Sequence, residues 1–269
     1  MFKKPLFLNK TFIPDASQNK MSNVDDVSAS RADFIRNRPG NLNYLLEKRY
    51  GWMNDYINDG DTGIEVGAGN GLSKLFITKG NYEVTDYADF EWLDRKVDAL
   101  NMPYESGSLD FIVSSNMIHH LAHPYKFLDE CHRVLKPGGK LLIQEINGSF
   151  FLRLILKLMK HEGYNYNVDP FDKNCVCNDP DNLWSGNNVL PNLLFDDQQL
   201  FESNFRFRIE SQHYSEFFIF PLSGGVTAKT KTVQLPRAML NLFNGIDNML
   251  IAVSKNTFAL QRRIVLRKV

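Results

Sequence analysis

Two hydrophobic rhythms divide this chain. Between residues 63 and 146, short apolar runs alternate with stretches whose apolar positions recur at helical spacing. The runs at 63–66 ("GIEV"), 81–86 ("NYEVTD"), 95–100 ("RKVDAL"), 109–116 ("LDFIVSSN") and 140–146 ("KLLIQEI") predict successive strands. Helices are expected between them at 71–79, 90–94 and 124–136. The last should be stopped by Pro137-Gly138-Gly139, because proline cannot continue a helix and glycine accepts the left-handed turn. Ahead of this block, Leu42, Leu45, Leu46, Tyr50 and Met53 fall near one helical face, so 41–57 predicts a helix packed on the core. Residues 1–40 are polar and weakly periodic, and are expected to form a loosely ordered arm.

Beyond residue 146 the second rhythm begins. The segment 150–160 is apolar except at Arg153, Lys157 and Lys160, whose i, i+4, i+7 spacing draws one basic stripe on a helix. Residues 165–195 are rich in Asn, Asp, Pro and Gly, which is loop chemistry. A helix is expected at 195–205, one or two strands at 205–220, a long helix at 236–253 and a closing strand at 258–269. Strands alternating with helices imply an α/β fold with a parallel sheet covered on both faces. Such sheets bind ligands at the carboxyl ends of their strands, near the point where strand order reverses.

Composition narrows the function classes. The 31 basic residues balance the 31 acidic ones, so no global field draws the chain to nucleic acid, and a nucleic-acid acceptor is disfavoured. Only Cys131, Cys175 and Cys177 are present, a sparse set that fits a reducing compartment. The one C-x-C pair lacks the second pair of a zinc ribbon, so no metal is expected. The opening "MFKKPLFLNK" has no long apolar run, which makes cytoplasmic localisation the default expectation.

The candidate chemistry sits after the first strand, where Gly67, Gly69 and Gly71 alternate. Alternating glycines cost backbone entropy and mark positions where a side chain is forbidden. A dinucleotide turn needs a third glycine where this chain has Leu72, and Glu65 would repel a pyrophosphate. A ligand carrying an amino group would welcome that carboxylate.

The stretch Glu65-Val66-Gly67-Ala68-Gly69-Asn70-Gly71 resembles motif I, E/D-x-G-x-G-x-G, of the class I S-adenosylmethionine-dependent methyltransferases. Residues 97–145 are similar to the same family's run "D-A-x-x-L-P-F-x-x-x-S-F-D … H-H-L … E-x-x-R-V-L-K-P-G-G", in the manner of a type 11-like methyltransferase domain. The resemblance implies a Rossmann-like, doubly wound sheet of seven strands with an antiparallel final strand and helical lid insertions. It implies one domain over 41–269, with a cofactor-binding half at about 58–147, a lid and acceptor region at about 148–204, and C-terminal strands and helix at 205–269. The implied cofactor is S-adenosylmethionine. Gly67, Ala68, Gly69 and Gly71 would bear its methionine part, with Glu65 near the amino group. Asp86 would take the ribose hydroxyls, a role Asp89 or Glu91 could share. Asp98 and the Ala99 backbone would take the adenine, and Ser115 would hold the donor through its backbone.

Methyl transfer from a sulfonium needs alignment and exclusion of water more than it needs reactive side chains. A hydroxyl acceptor would also need a base. His119 and His120 follow the fourth strand and Glu145 ends the fifth, so all three are candidate catalytic groups; the two histidines read equally as packing residues. "HHLAH" has no carboxylate partner in register, which again argues against a metal. His161 and Glu162 are further candidates, and Tyr164, Tyr166 and Trp184 could line an acceptor pocket. The expected acceptor is a small molecule or saccharide. The basic-striped helix would close over it as a lid, or would rest on a membrane surface beside a lipid-linked glycan. The competing functions are a nicotinamide-dependent oxidoreductase and a non-catalytic S-adenosylmethionine-binding module. The sequence leaves the oligomeric state open.

Overall fold

The computed structural model describes residues 9–15, 24–160, 162–182, 184–227 and 230–269. Strands β1 (Thr11–Phe12) and β7 (Tyr164–Asn165) form a separate antiparallel pair. The other strands are β2 (Thr62–Val66), β3 (Asn81–Asp86), β4 (Arg95–Lys96), β5 (Leu109–Ser115), β6 (Leu135–Ile146), β8 (Phe207–Ser215) and β9 (Gln261–Lys268). They make a seven-stranded sheet in the order β4-β3-β2-β5-β6-β9-β8. The pairings from β4 to β6 are parallel, and β9 runs antiparallel to both of its neighbours. The fold is Rossmann-like, as expected. The final strand, β9, is the antiparallel one, also as expected; it lies inside the sheet, and β8 forms the edge.

Side-chain alternation along the strands sets the two faces. Ile64, Ile112, Leu141, Ile143, Ile264 and Leu266 point to one core. There they meet α3 (Pro124–Val134), α5 (Leu190–Phe195) and α6 (Gln198–Asn204) through Phe127, Leu194 and Phe201. Their neighbours Phe111, Val113, Leu142 and Val265 point the other way. That face is covered by α1 (Val24–Asn37), α2 (Gly40–Tyr50), α7 (Ile219–Ser223) and α8 (Arg237–Val253), through Phe34, Leu45, Ile219 and Leu240. A smaller cluster joins α4 (Phe150–Met159) to Ile146, Tyr164, Val189 and Leu260, with α9 (Lys255–Phe258) alongside.

Several expected elements are remade by tertiary contacts. The helix expected at 71–79 is a single 3₁₀ turn, Leu72–Leu75. Asn54 ends it by taking the backbone groups a helix would need: its amide donates to the Phe76 carbonyl (2.8 Å) and its Oδ1 accepts from Thr78 N (2.8 Å) and Lys79 N (3.2 Å). The short helix at 90–94 is a turn, with the Asp94 carboxylate accepting from Val84 N at 2.8 Å, and the third strand shrinks to two residues. Helix α3 stops at Val134, and Pro137-Gly138-Gly139 lies within β6 as an irregularity in its pairing with β5. The strand expected to run through 217–220 gives way to α7, because the buried Asp247 carboxylate of α8 accepts from Phe217 N, Phe218 N and Ile219 N. Within the arm expected to be loose, residues 24–37 form a helix with Phe34 fully buried.

Candidate functional site

Strand β2 lies between β3 and β5, so the chain leaves its carboxyl end toward one side of the sheet and returns on the other. This is the place where such sheets open a crevice. Gly67, Gly69 and Gly71 all adopt left-handed backbone, with φ of +65°, +52° and +58°. Their surroundings differ. A Cβ on Gly67 would lie 2.2 Å from Met117 Cγ, and one on Gly71 would lie 2.9 Å from Trp92 Cδ1, whereas one on Gly69 would meet nothing within 4 Å. Gly67 is therefore bare to let the loop after β5 approach, and Gly69 is bare toward open space.

Polar groups fix this turn from three directions. Asp86, at the tip of β3, accepts from Gly69 N (2.7 Å) through one oxygen and from Ala88 N (2.8 Å) through the other. Trp92 Nε1 donates to the Gly69 carbonyl at 2.9 Å. Arg31 of α1 donates to the Asn70 carbonyl at 2.6 Å, with its guanidinium 5.0 Å from the Trp92 ring centre. Neither Arg31 nor Trp92 was identifiable from local pattern, because each comes from outside the glycine turn.

Glu65, in β2, is fully buried. One of its oxygens accepts from the Ser73 hydroxyl, and the other, Oε1, has no hydrogen-bond partner among the described residues. Burial pushes its carboxyl up to about 8. The unfolded chain gives up that proton near 4.5 while the folded one keeps it, so the stability contributed by this group is present at acid pH and lost as pH rises toward 8. Glu65→Gln is expected to flatten that slope. Relative to wild type it should gain on the order of 4 kcal/mol between pH 5 and pH 8.5. Denaturant melts across that range test this, and parallel curves would refute it.

The remaining donor-side candidates are spread along the strand tips. Asp98 is exposed and accepts from Leu100 N at 2.8 Å in a turn of its own making, with Ala99 half-buried behind it. Asp89 and Glu91 are exposed. Ser115 ends β5, and its hydroxyl oxygen accepts from Asn116 Nδ2 at 3.4 Å.

On the other side of the crevice, a 3₁₀ turn, Ile118–His120, follows β5. The buried Glu145 of β6 accepts from Ile118 N (2.8 Å) through Oε2, and from Ile146 N (2.8 Å) and His119 Nδ1 (2.6 Å) through Oε1. His119 Nε2 lies 3.6 Å from Glu162 Oε2. Burial opposes charge on His119, but the two carboxylates outweigh it and raise the imidazole above its ordinary value. His120, its ring tilted against that of His119 with centroids 4.0 Å apart, is lowered by burial and by the charge of His119. Its Nδ1 donates to the Ser185 carbonyl at 2.9 Å, which leaves the lone pair on Nε2. One ligating atom from each of His119, His120 and Glu162 lies within 4.8 Å of the others. Glu162 supplies the carboxylate partner that "HHLAH" lacked in register. His161 lies outside the described residues.

Buried and half-buried asparagines sew the lid segment to this turn. Asn187 N and Asn178 Nδ2 both donate to the His119 carbonyl, at 2.8 and 3.0 Å, and Asn188 Nδ2 donates to Glu162 Oε2 at 2.8 Å. On α4, Arg153 and Lys157 stand over the rings of Tyr166 and Tyr164, at 5.8 and 5.6 Å, so much of the basic stripe faces the lid. Tyr164 is buried, while Tyr166 and Trp184 are half-buried. No helix among the described residues is long and apolar enough to cross a membrane.

Residues 64–143 match the family described as a methyltransferase domain. The chain is 37% identical over 76 residues to the highly reducing polyketide synthase resH of Aspergillus sclerotiorum, a stretch covering 28% of this chain and 3% of that protein. It is 38% identical over 80 residues to the mitochondrial 2-methoxy-6-polyprenyl-1,4-benzoquinol methylase of Caenorhabditis elegans, covering 30% of this chain and 26% of the relative. The chain thus spans about a quarter or less of the length of these relatives. A crystal structure of a SAM-dependent methyltransferase from Archaeoglobus fulgidus superposes with a TM-score of 0.50 at 14% identity, over 84% of this chain and 94% of that one, and shows the shared fold.

Proposed function

We propose, from the premise that this chain carries a class I S-adenosylmethionine-dependent methyltransferase domain with S-adenosylmethionine as cofactor, that it methylates a small organic acceptor by in-line displacement at the sulfonium. The observation that carries this reading is the pairing of an open, left-handed Gly69 with an orphaned oxygen on buried Glu65. Bare backbone and an unpartnered carboxyl oxygen fit a flat nucleoside bearing an ammonium group. Gly67 to Gly71 would carry the methionine part, and Glu65 would face its amine. Asp86 would add the ribose hydroxyls to the backbone amides it already holds. Asp98 and the Ala99 N–H would meet the adenine, and Ser115 would close the crevice floor.

The cofactor supplies an activated methyl group, so the chain's task is placement. Met117 seats the acceptor-side turn directly against Gly67, and the asparagine-stitched segment keeps water from the interface. For a hydroxyl acceptor, His120 is the group able to take the proton at Nε2, while His119, raised above its ordinary value by Glu145 and Glu162, packs beside it. A small aromatic or polyketide-type acceptor is favoured over a saccharide, because the curated relatives are a benzoquinol methylase and a polyketide synthase. The inward turn of Arg153 and Lys157 favours the lid reading of α4 over a membrane-surface one.

Calorimetry on the full chain tests the donor half: S-adenosylmethionine and S-adenosylhomocysteine should both bind, and NAD should give no heat. Methyl label should then pass to a small organic compound in an extract. Donor binding without any transfer would leave a binding module and remove the enzyme reading.

A further inference from the structure

We propose that His119, His120 and Glu162 form a binding site for one divalent transition-metal ion of the zinc class, with Glu145, Ser185 and Asn188 as its outer shell. The inference rests on the methyl-transfer reading only for its purpose; the site itself rests on geometry. Ligating atoms from the three side chains lie within 4.8 Å of one another, a cluster that small side-chain shifts would draw in around one central ion. Two imidazoles and a carboxylate are the donor set that zinc and its first-row neighbours prefer.

The outer shell is the stronger argument. A metal-bound histidine ordinarily donates its other ring N–H to a carboxylate or a carbonyl, which fixes the tautomer and aims the free nitrogen. Both histidines do so. His119 Nδ1 is bonded to Glu145 at 2.6 Å and His120 Nδ1 to the Ser185 carbonyl at 2.9 Å. The carboxylate is anchored as well, by Asn188 Nδ2 to Glu162 Oε2 at 2.8 Å. Three potential ligands that converge, each held from behind by a different residue, are more than core packing requires.

Three protein ligands leave a coordination position open. The turn that bears the histidines begins one residue after Met117, which packs on Gly67, so the ion would sit beside the donor crevice. An acceptor hydroxyl taking the open position would lose its proton to solvent. Its oxygen lone pair would then form the new O–CH₃ bond while the C–S electrons return to sulfur. In that arrangement His120 Nε2 is a ligand, and activation of the acceptor passes from the imidazole to the ion.

The full chain, stripped with a chelator and dialysed, should bind one Co²⁺ or Zn²⁺ per molecule, with Co²⁺ giving the intense visible bands of a low-coordinate site. His120→Ala and Glu162→Gln should each weaken binding at least ~100-fold with far-UV circular dichroism unchanged. Glu145→Gln, acting through His119, should weaken it ~10-fold or more. A folded wild-type chain that binds neither ion, or a His120→Ala variant that binds as well as wild type, overturns the site. Calorimetry with S-adenosylmethionine on the same metal-free sample separates the two ideas. Donor binding without metal binding defeats only the metal site, and metal binding without donor binding defeats only the methyl-transfer reading.

Discussion

Gly67→Ala is expected to destabilise the fold by ~2–5 kcal/mol, the sum of a left-handed backbone cost of ~1–2 kcal/mol and an overpacking cost of ~1–3 kcal/mol. The added methyl would fall 2.2 Å from Met117 Cγ and 2.9 Å from its Cβ, in a loop whose φ is +65°. Met117 is itself buried and cannot swing out cheaply. Gly69→Ala, at φ +52° and with nothing within 4 Å, should cost only the backbone term of about 1–2 kcal/mol. Gly69→Arg should fold with similar stability and lose S-adenosylmethionine binding by more than ~100-fold, because the side chain would occupy the open cradle. Urea melts and calorimetry on the three variants give the answer. Equal stability for alanine at 67 and at 69 would show that the loop after β5 is not held by Gly67.

The second large effect belongs to a buried ion pair remote from the glycine turn. Arg49 of α2 and Glu216, in the link between β8 and α7, are each 5% exposed and meet through two hydrogen bonds, 2.9 and 2.7 Å long. Removing one partner leaves an unpaired charge in the interior, so Glu216→Gln or Arg49→Met should cost ~3–5 kcal/mol. The double variant should lose much less than the sum, since the two penalties share one cause. Glu216 also accepts from Leu260 N through its carbonyl at 2.8 Å, just before β9. Additive losses in the double variant would show that the pair does not interact energetically.

What could be read from the chain follows the range of the forces involved. Strands β2, β5 and β6 are largely buried runs whose identity is set by local apolar content, β3 is half-buried around Val84, and the glycine turn and Asp86 follow from their position at strand ends. The helix expected at 71–79 failed because Asn54, a residue distant in sequence, captures its backbone groups. The same reason hid α7, which exists because Asp247 of α8 caps it. Helix α1 carries little periodicity of its own and is ordered by burying Phe34 and by the reach of Arg31 to Asn70. On the acceptor side, His119, His120 and Glu145 were nameable, but their division of labour was not. It depends on Glu162, itself a candidate but with no visible link to the histidines, and on Ser185 and Asn188, polar residues in a segment whose composition indicates only a loop.

The placement of β9 between β6 and β8 carries a consequence for biogenesis. Nascent chain emerging from the ribosome can assemble β2 to β6 early, yet β6 then presents an unpaired row of amides and carbonyls, the kind of edge that recruits foreign strands. Its proper partner is translated only after the lid, β8 and the long helix α8. Chaperone dependence during synthesis, and aggregation of chains shortened before residue 261, are the expected costs of filling the middle of a sheet last.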